Sequence, residues 1–261
     1  VLLAVPHAGR NYGADLIAAA RVPLAVLRRM EDRRADLLVD AALAAGFTAI
    51  IADAPRALID LNRAETDMDP LAIDGDVPWL QPTQRARAGL GLLPHRLSPE
   101  GDLWRFRPDA SELGRRIAAV HHPWHQAIDS LLTAIRARHG AAVLLDIHSM
   151  PVPLDATELA LGDRYGRTAR GEFVDQLLAV AQGRGLRALR NHPYAGAFGI
   201  ERHASTDSAV QAVQIEIARS LYLDGHGKPD AAGLARMAAL ICALARAAAD
   251  AGGTCLPIAA E

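Results

Sequence analysis

Aromatic side chains are scarce in this chain, at 4% of residues. Leu, Val, Ile and Ala must therefore do the packing. Cysteine is nearly absent. Cys242 and Cys255 form no CxxC pair and no disulfide framework, which points to a reducing cytoplasm. Cys242 falls in an apolar helical run and reads as a buried packing residue. An excess of one charge is also missing. The formal net charge of −2 offers no electrostatic basis for a nucleic-acid or anionic-membrane partner. No apolar run reads as long enough to span a bilayer. The opening Val1-Leu2-Leu3-Ala4-Val5 has no basic leader and ends at Pro6-His7, not at a small-residue cleavage site. It reads as a buried strand, and a chain that starts without Met leaves room for a short preceding piece.

Apolar material is plentiful, at 51% of 261 residues, enough for a sizeable core at the upper edge of one domain. Short apolar runs alternate with long Ala/Leu/Arg-rich stretches. The runs at 2–5, 48–52, 57–61, 143–147, 186–190 and 212–217 read as strands. The stretches at 24–45, 111–137, 169–183 and 231–251 read as helices. Asp109 is a candidate cap for the second of these, Gly140 closes it, and Pro123 kinks or divides it. Such alternation predicts an α/β fold: one domain over 1–261, with a mostly parallel or mixed central sheet and helices on both faces. Residues 67–109 are rich in Pro, Gly and charge, and are too long for a plain connector. They read as an irregular functional excursion.

Ligands in open α/β sheets gather at the carboxyl ends of strands. The polar residues that follow the predicted strands are selective. The first strand leads to Pro6-His7-Ala8-Gly9, the third to Asn62-Arg63, and the fourth to Asp146-Ile147-His148-Ser149. Glu216 lies near the end of the last strand. Two imidazoles and a carboxylate around an open position form the pattern of a catalytic zinc. Such a metal lowers the pKa of bound water to about 7 and polarises a carbonyl. His7 and His148 are the first candidates as ligands, and zinc or another divalent metal is the expected cofactor. Single strand-end histidines are usually structural; two on one rim favour metal.

Asp32 is the choice for the third ligand and Glu31 the substitute, because Arg10 stands where an HxxE spacing needs an acid. The run Arg28-Arg29-Met30-Glu31-Asp32-Arg33-Arg34 equally reads as a solvated helix face. Asp146, two residues before His148 on a strand, projects to the same face and either orients a ligand or caps the following loop. Glu216 is costly to bury between Ile215 and Ile217 without a task. It reads as a general base, or as one half of a buried ion pair. Arg56, Asn62 and Arg63 suit the binding of a carboxylate substrate, and Arg63 can also steady an oxyanion. Their structural alternative is a salt bridge to Asp53 or Asp60. His203 is a weaker substrate candidate, placed on a loop. His121, His122 and His125 have i, i+4 spacing without an HExxH glutamate and read as helix-face residues.

These motifs, in order, resemble the N-formylglutamate amidohydrolase (deformylase) family. The matching pieces are Pro6-His7-Ala8-Gly9, Asp60-Leu61-Asn62-Arg63, Gly91-Leu92-Leu93-Pro94, Pro123-Trp124-His125, Asp146-Ile147-His148-Ser149-Met150, Leu161-Gly162-Asp163-Arg164, Gln214-Ile215-Glu216 and Leu221-Tyr222-Leu223-Asp224. The resemblance implies a zinc-carboxypeptidase-like fold and hydrolysis of N-formyl-L-glutamate to formate and L-glutamate. It places the enzyme in amino-acid catabolism, specifically histidine degradation. It implies His7 and His148 on the metal, Glu216 as base, and Arg56, Asn62 and Arg63 on the substrate. The arginine-rich surroundings of Asp32 and the short 67–77 stretch depart from the family pattern and bring in other N-acyl amino acid or peptide-like substrates. Two rivals stand beside this reading. One is a serine hydrolase using Ser149, for which no GxSxG elbow exists. The other is a non-catalytic relative that holds a carboxylate ligand.

Overall fold

A computed structural model of the chain describes residues 1–205 and 209–252. Cys255 lies outside the described residues. The chain divides into two compact units, one formed by Val1–Val5, Arg34–Ile50 and Ile128 onward, the other by Pro6–Arg33 and Ile51–Ala127.

The first unit is built on a sheet. In chain order the strands are β1 (Leu2–Val5), β2 (Thr48–Ile51), β3 (Arg96–Leu97), β4 (Gly101–Asp102), β5 (Ala142–Met150), β6 (Leu159–Gly162), β7 (Ala188–Arg190) and β8 (Val210–Ala218). Six of them form one sheet in the order β2-β1-β5-β8-β6-β7. β1, β5 and β8 run parallel, β6 runs antiparallel to β8, and β7 is parallel to β6. The fold is thus α/β with a mixed central sheet flanked by helices. Every residue of β5 and β8 is buried, as expected of strands covered on both faces. β6 escapes sequence reading because Leu159-Ala160-Leu161-Gly162 contains no β-branched or aromatic residue.

The helix Ala231–Gly252 is apolar and long enough, over Ala231–Ala251, to cross a membrane by length and composition, contrary to the sequence expectation. It packs against the helices Gly171–Gln182 and Asp40–Ala44 and buries Leu240, Ile241, Leu244 and Ala248. Cys242, on the same helix, is half-buried rather than buried.

The second unit is mostly irregular. The predicted strand at 57–61 is instead a turn and an extended segment. Leu58 donates its N–H to Pro55 at 2.8 Å and Asp60 to Leu92 at 2.8 Å, while Ile59 and Leu61 fill the interior without a ladder. Residues 67–109 contribute the two-stranded β3-β4 hairpin, a 3-10 turn at Pro70–Ala72 and a π turn at Ala86–Leu90.

The single helix predicted over 24–45 is broken. Helical turns cover Leu24–Leu27 and Arg28–Met30, then resume at Ala35–Val39 and Asp40–Ala44. Between them Glu31 is extended and Arg34 is left-handed, with φ 61°. Good helix formers lose here to tertiary bonds, because Asp32 donates its N–H to the His7 carbonyl at 2.9 Å. The next helical stretch behaves as predicted. The Asp109 carboxylate accepts from the Glu112 N–H at 2.8 Å and Gly140 has φ +81°. A π turn at Ile117–His121 precedes Pro123, whose missing N–H and bulky ring disrupt regular α-helical bonding.

Candidate metal and substrate site

In the first unit, β5 and β8 bring the chemistry together. His148 stands in register with Glu216, and Asp146 with Gln214. Neighbouring residues of parallel strands project from the same face, so all four side chains share one side of the sheet. His148 Nε2 lies 3.0 Å from Asp146 Oδ2, and both are buried. This is the orienting contact that the i, i+2 spacing predicts.

Glu216 is 8% exposed, and its Oε1 accepts from Gln214 Nε2 at 2.8 Å. The amide of Gln214 is itself fixed, because its Oε1 accepts the Ala197 N–H at 3.0 Å. The sequence motif includes Gln214 but assigns it no role, although its place two residues before Glu216 on a strand is a usable signal. Ser149 Oγ accepts from Arg219 Nε at 2.9 Å, an anchored hydroxyl that argues against a serine nucleophile.

His203 is not on a loop. It ends the short helix Phe198–His203, is buried, and its Nδ1 lies 2.7 Å from Asp129 Oδ1. Burial lowers its pKa, and the Asp129 carboxylate opposes that shift.

In the second unit, His7 follows β1 by two residues in a tight turn. A side chain at Gly9 would overlap the backbone of Ala54 and Asp53, so the turn requires glycine. His7 Nε2 lies 2.7 Å from Asp60 Oδ1, and its Nδ1 lies 3.4 Å from Asp32 Oδ2. The Glu31 carboxylate instead accepts from Tyr12 Oη at 2.9 Å. Burial, reinforced by Glu31, pushes the Tyr12 phenol well above its usual pKa. Glu31 and Asp32 are each 2% exposed, so the charged run is no solvated helix face.

Asp60 is the residue sequence reading undervalued. It is completely buried and also accepts from Arg56 Nε at 2.9 Å and the Asn62 N–H at 2.9 Å. Burial opposes its ionisation, but Arg56, His7 and Arg63 outweigh that and hold its pKa well below the usual carboxylate range. Arg56 is thus ion-paired to Asp60, the structural alternative that its sequence position left open. Arg63 is buried, donates from Nε to the Leu90 carbonyl at 3.1 Å, and lies 3.8 Å from both Asp60 and Asp67. Burial lowers its pKa, with Asp60 acting in the opposite direction. Asn62 is buried beside it. His121 and His125 are buried and meet edge-on at 4.4 Å; His121 Nε2 lies 2.9 Å from the Arg63 carbonyl.

In the second unit His7 Nδ1 faces Asp32 Oδ2, and in the first His148 stands beside Glu216. Two imidazoles and one carboxylate make a donor set suited to zinc. Each histidine has one ring nitrogen against a buried carboxylate, Asp60 for His7 and Asp146 for His148. That arrangement fixes tautomer and ring orientation in metal-ligating histidines.

Fold and side chains together define an α/β protein that buries histidines and carboxylates of the kinds that hold a divalent metal. The chain belongs to the N-formylglutamate amidohydrolase family, whose profile matches residues 1–223. It is 28% identical over 233 residues to the N-formylglutamate deformylase of Pseudomonas aeruginosa, covering 86% of this chain and 82% of that one. It is 26% identical to the enzyme of the same name from Pseudomonas putida, with the same coverage. The crystal structure of N-formylglutamate amidohydrolase from Ralstonia eutropha JMP134 superposes with a TM-score of 0.87 at 30% identity, covering 96% of this chain and 93% of that one.

Proposed function

We propose that this protein is a metal-dependent amidohydrolase that cleaves N-formyl-L-glutamate to formate and L-glutamate. The observation that carries the reading is the register of His148 beside Glu216 in the first unit, together with buried His7 set against Asp32 and Asp60 in the second. The relatives' names supply the substrate. Because the family profile spans residues of both compact units, we read the whole chain as one hydrolase domain, with 67–109 as its irregular excursion.

His7, Asp32 and His148 would hold zinc or another divalent metal, with Asp146 and Asp60 orienting the two imidazoles. Such an ion supplies Lewis-acid polarisation of the formyl carbonyl. Glu216 takes the proton of the attacking water and delivers it to the departing amine nitrogen. Gln214 holds the Glu216 carboxylate for that transfer. Arg63, with Asn62, grips a substrate carboxylate and steadies charge on the carbonyl oxygen. Arg56 reaches the substrate side while tied to Asp60, and His203 contributes a hydrogen bond. The small substrate and the reducing-compartment composition fit a cytoplasmic enzyme of amino-acid catabolism, within histidine degradation.

The test is to measure metal content and glutamate release from N-formylglutamate, before and after chelation. Stoichiometric metal with turnover that vanishes on chelation and returns with zinc supports the reading. Full turnover in a metal-free preparation overturns it. Metal-loaded protein that turns over no N-acyl amino acid would leave a binding protein instead.

A further inference from the structure

The second unit contains a cavity of about 180 Å³, lined in part by Arg21, His95, Arg96, Arg105 and Arg107, with Trp104 on one wall. It shares no residue with the site described above. We propose that this cavity is a second binding site, for a small oxyanion carrying two or more negative charges.

The first argument is charge. Four guanidinium groups line the cavity. Arg96 is matched by Asp102, with Nε 3.3 Å from Oδ1. Arg105 is anchored through Nε to the Ala20 carbonyl at 3.0 Å, a neutral partner. No hydrogen bond or ion pair among the described residues occupies the guanidinium of Arg21 or Arg107. Three of the four positive charges therefore lack a counter-charge at the cavity. Guanidinium forks match the paired oxygens of carboxylate and phosphate.

The second argument is an unsatisfied group. His95 is 8% exposed, and neither ring nitrogen has a hydrogen-bond partner. Asp69 lies with Oδ2 3.7 Å from Nε2, beyond hydrogen-bond length, and Asp102, which also lines the cavity, acts on the ring only through its charge. Buried polar groups without partners are rare in folded proteins and call for an explanation. His95 lines the cavity, so its ring responds to charge that enters there.

The third argument is shape. The cavity is far larger than the roughly 10–15 Å³ that one ordered water needs. Its walls are tied down by backbone bonds. Leu103 donates to His95 at 2.9 Å, Arg21 to Leu103 at 2.8 Å and Arg105 to Ala19 at 2.9 Å. Trp104 Nε1 donates to the Pro94 carbonyl at 2.7 Å. Leu71 and Phe106, both exposed, add apolar surface to its lining.

The experiment titrates the metal-loaded, full-length protein with inorganic phosphate or succinate at constant ionic strength. Chloride and acetate serve as controls. The readout is the His95 ring resonance in histidine-labelled protein, assigned with H95Q. A saturable shift with phosphate, with succinate or with both is expected, and which of them acts tells phosphate from carboxylate recognition. The double variant R21Q/R107Q changes two exposed side chains and should bind roughly tenfold more weakly or worse, the scale of losing charge-assisted contacts. Its N-formylglutamate turnover should be unchanged. No saturable shift, an equal shift with chloride or acetate, or undiminished affinity in R21Q/R107Q overturns the proposal. A failure of amidohydrolase activity leaves this binding measurement unaffected, so the two readings are tested separately.

Discussion

His7 and Asp60 sit 2.7 Å apart, imidazole Nε2 against carboxylate Oδ1, and neither reaches solvent to more than 2%. The ring is held before any ligand arrives. Asp60→Asn should weaken zinc affinity about 10–100-fold, the usual scale for losing an orienting carboxylate. Competition against a chromogenic chelator reads this directly. Wild-type affinity in the variant would show that Asp60 serves Arg56 alone.

Glu216→Gln keeps the shape of the side chain and removes its basicity. Metal content should stay at the wild-type level while kcat falls about 10²–10⁴-fold. A fully active Gln variant rejects the proton-transfer role. Gln214→Ala should give a smaller loss, because the Glu216 carboxylate remains but is no longer held.

Arg56 and Arg63 should part company on substitution. Arg56 spends two nitrogens on Asp60, at 2.9 and 2.8 Å. Arg56→Ala leaves a buried carboxylate short of its main partner and should cost about 3–5 kcal/mol of stability, seen as a lowered Tm. Arg63→Lys retains the charge and loses the planar fork, so KM for N-formylglutamate should rise by about tenfold or more. An unchanged KM would assign substrate binding to other side chains.

His203 sets a pH dependence of stability. Burial holds its folded pKa below the usual 6.5. The unfolded chain therefore binds more protons as pH falls through about 6.5, and folding stability drops with it. Above that value the contribution is fully present. His203→Gln should flatten the slope of ΔG against pH between about 7 and 5, measured by denaturant unfolding. An unaltered slope assigns the effect elsewhere, with buried His95, shifted the same way, the first alternative.

Much of the β5–β8 edge was readable because strands impose strict rules. Two-residue spacing on a strand puts Asp146 with His148 on one face, and the same rule held for Gln214 and Glu216. The long helices from Ala110 and Ala231 were equally plain, since caps and composition agreed. The failures share a cause. The segment 24–45 has helical composition, yet tertiary hydrogen bonds at Glu31 and Asp32 broke it. Asp60 looked like an ordinary ion-pair partner because its importance comes from His7, distant in the chain. Arginine partners at Arg56 and Arg63 could be named as alternatives but not chosen, because choosing requires three-dimensional distances.

The antiparallel direction of β6 has an effect beyond strand order. Leu159, where β6 begins, is registered with Ile217 near the end of β8. The segment 151–158 that leaves β5 therefore never has to travel to the far end of the sheet before β6 begins. It stays over the strand ends where His148 and Glu216 lie, with Val152 and Leu154 open to solvent. An ordinary crossover would have been committed to spanning the sheet. This one can change in length and composition without disturbing the register of the strands that carry Glu216 and His148.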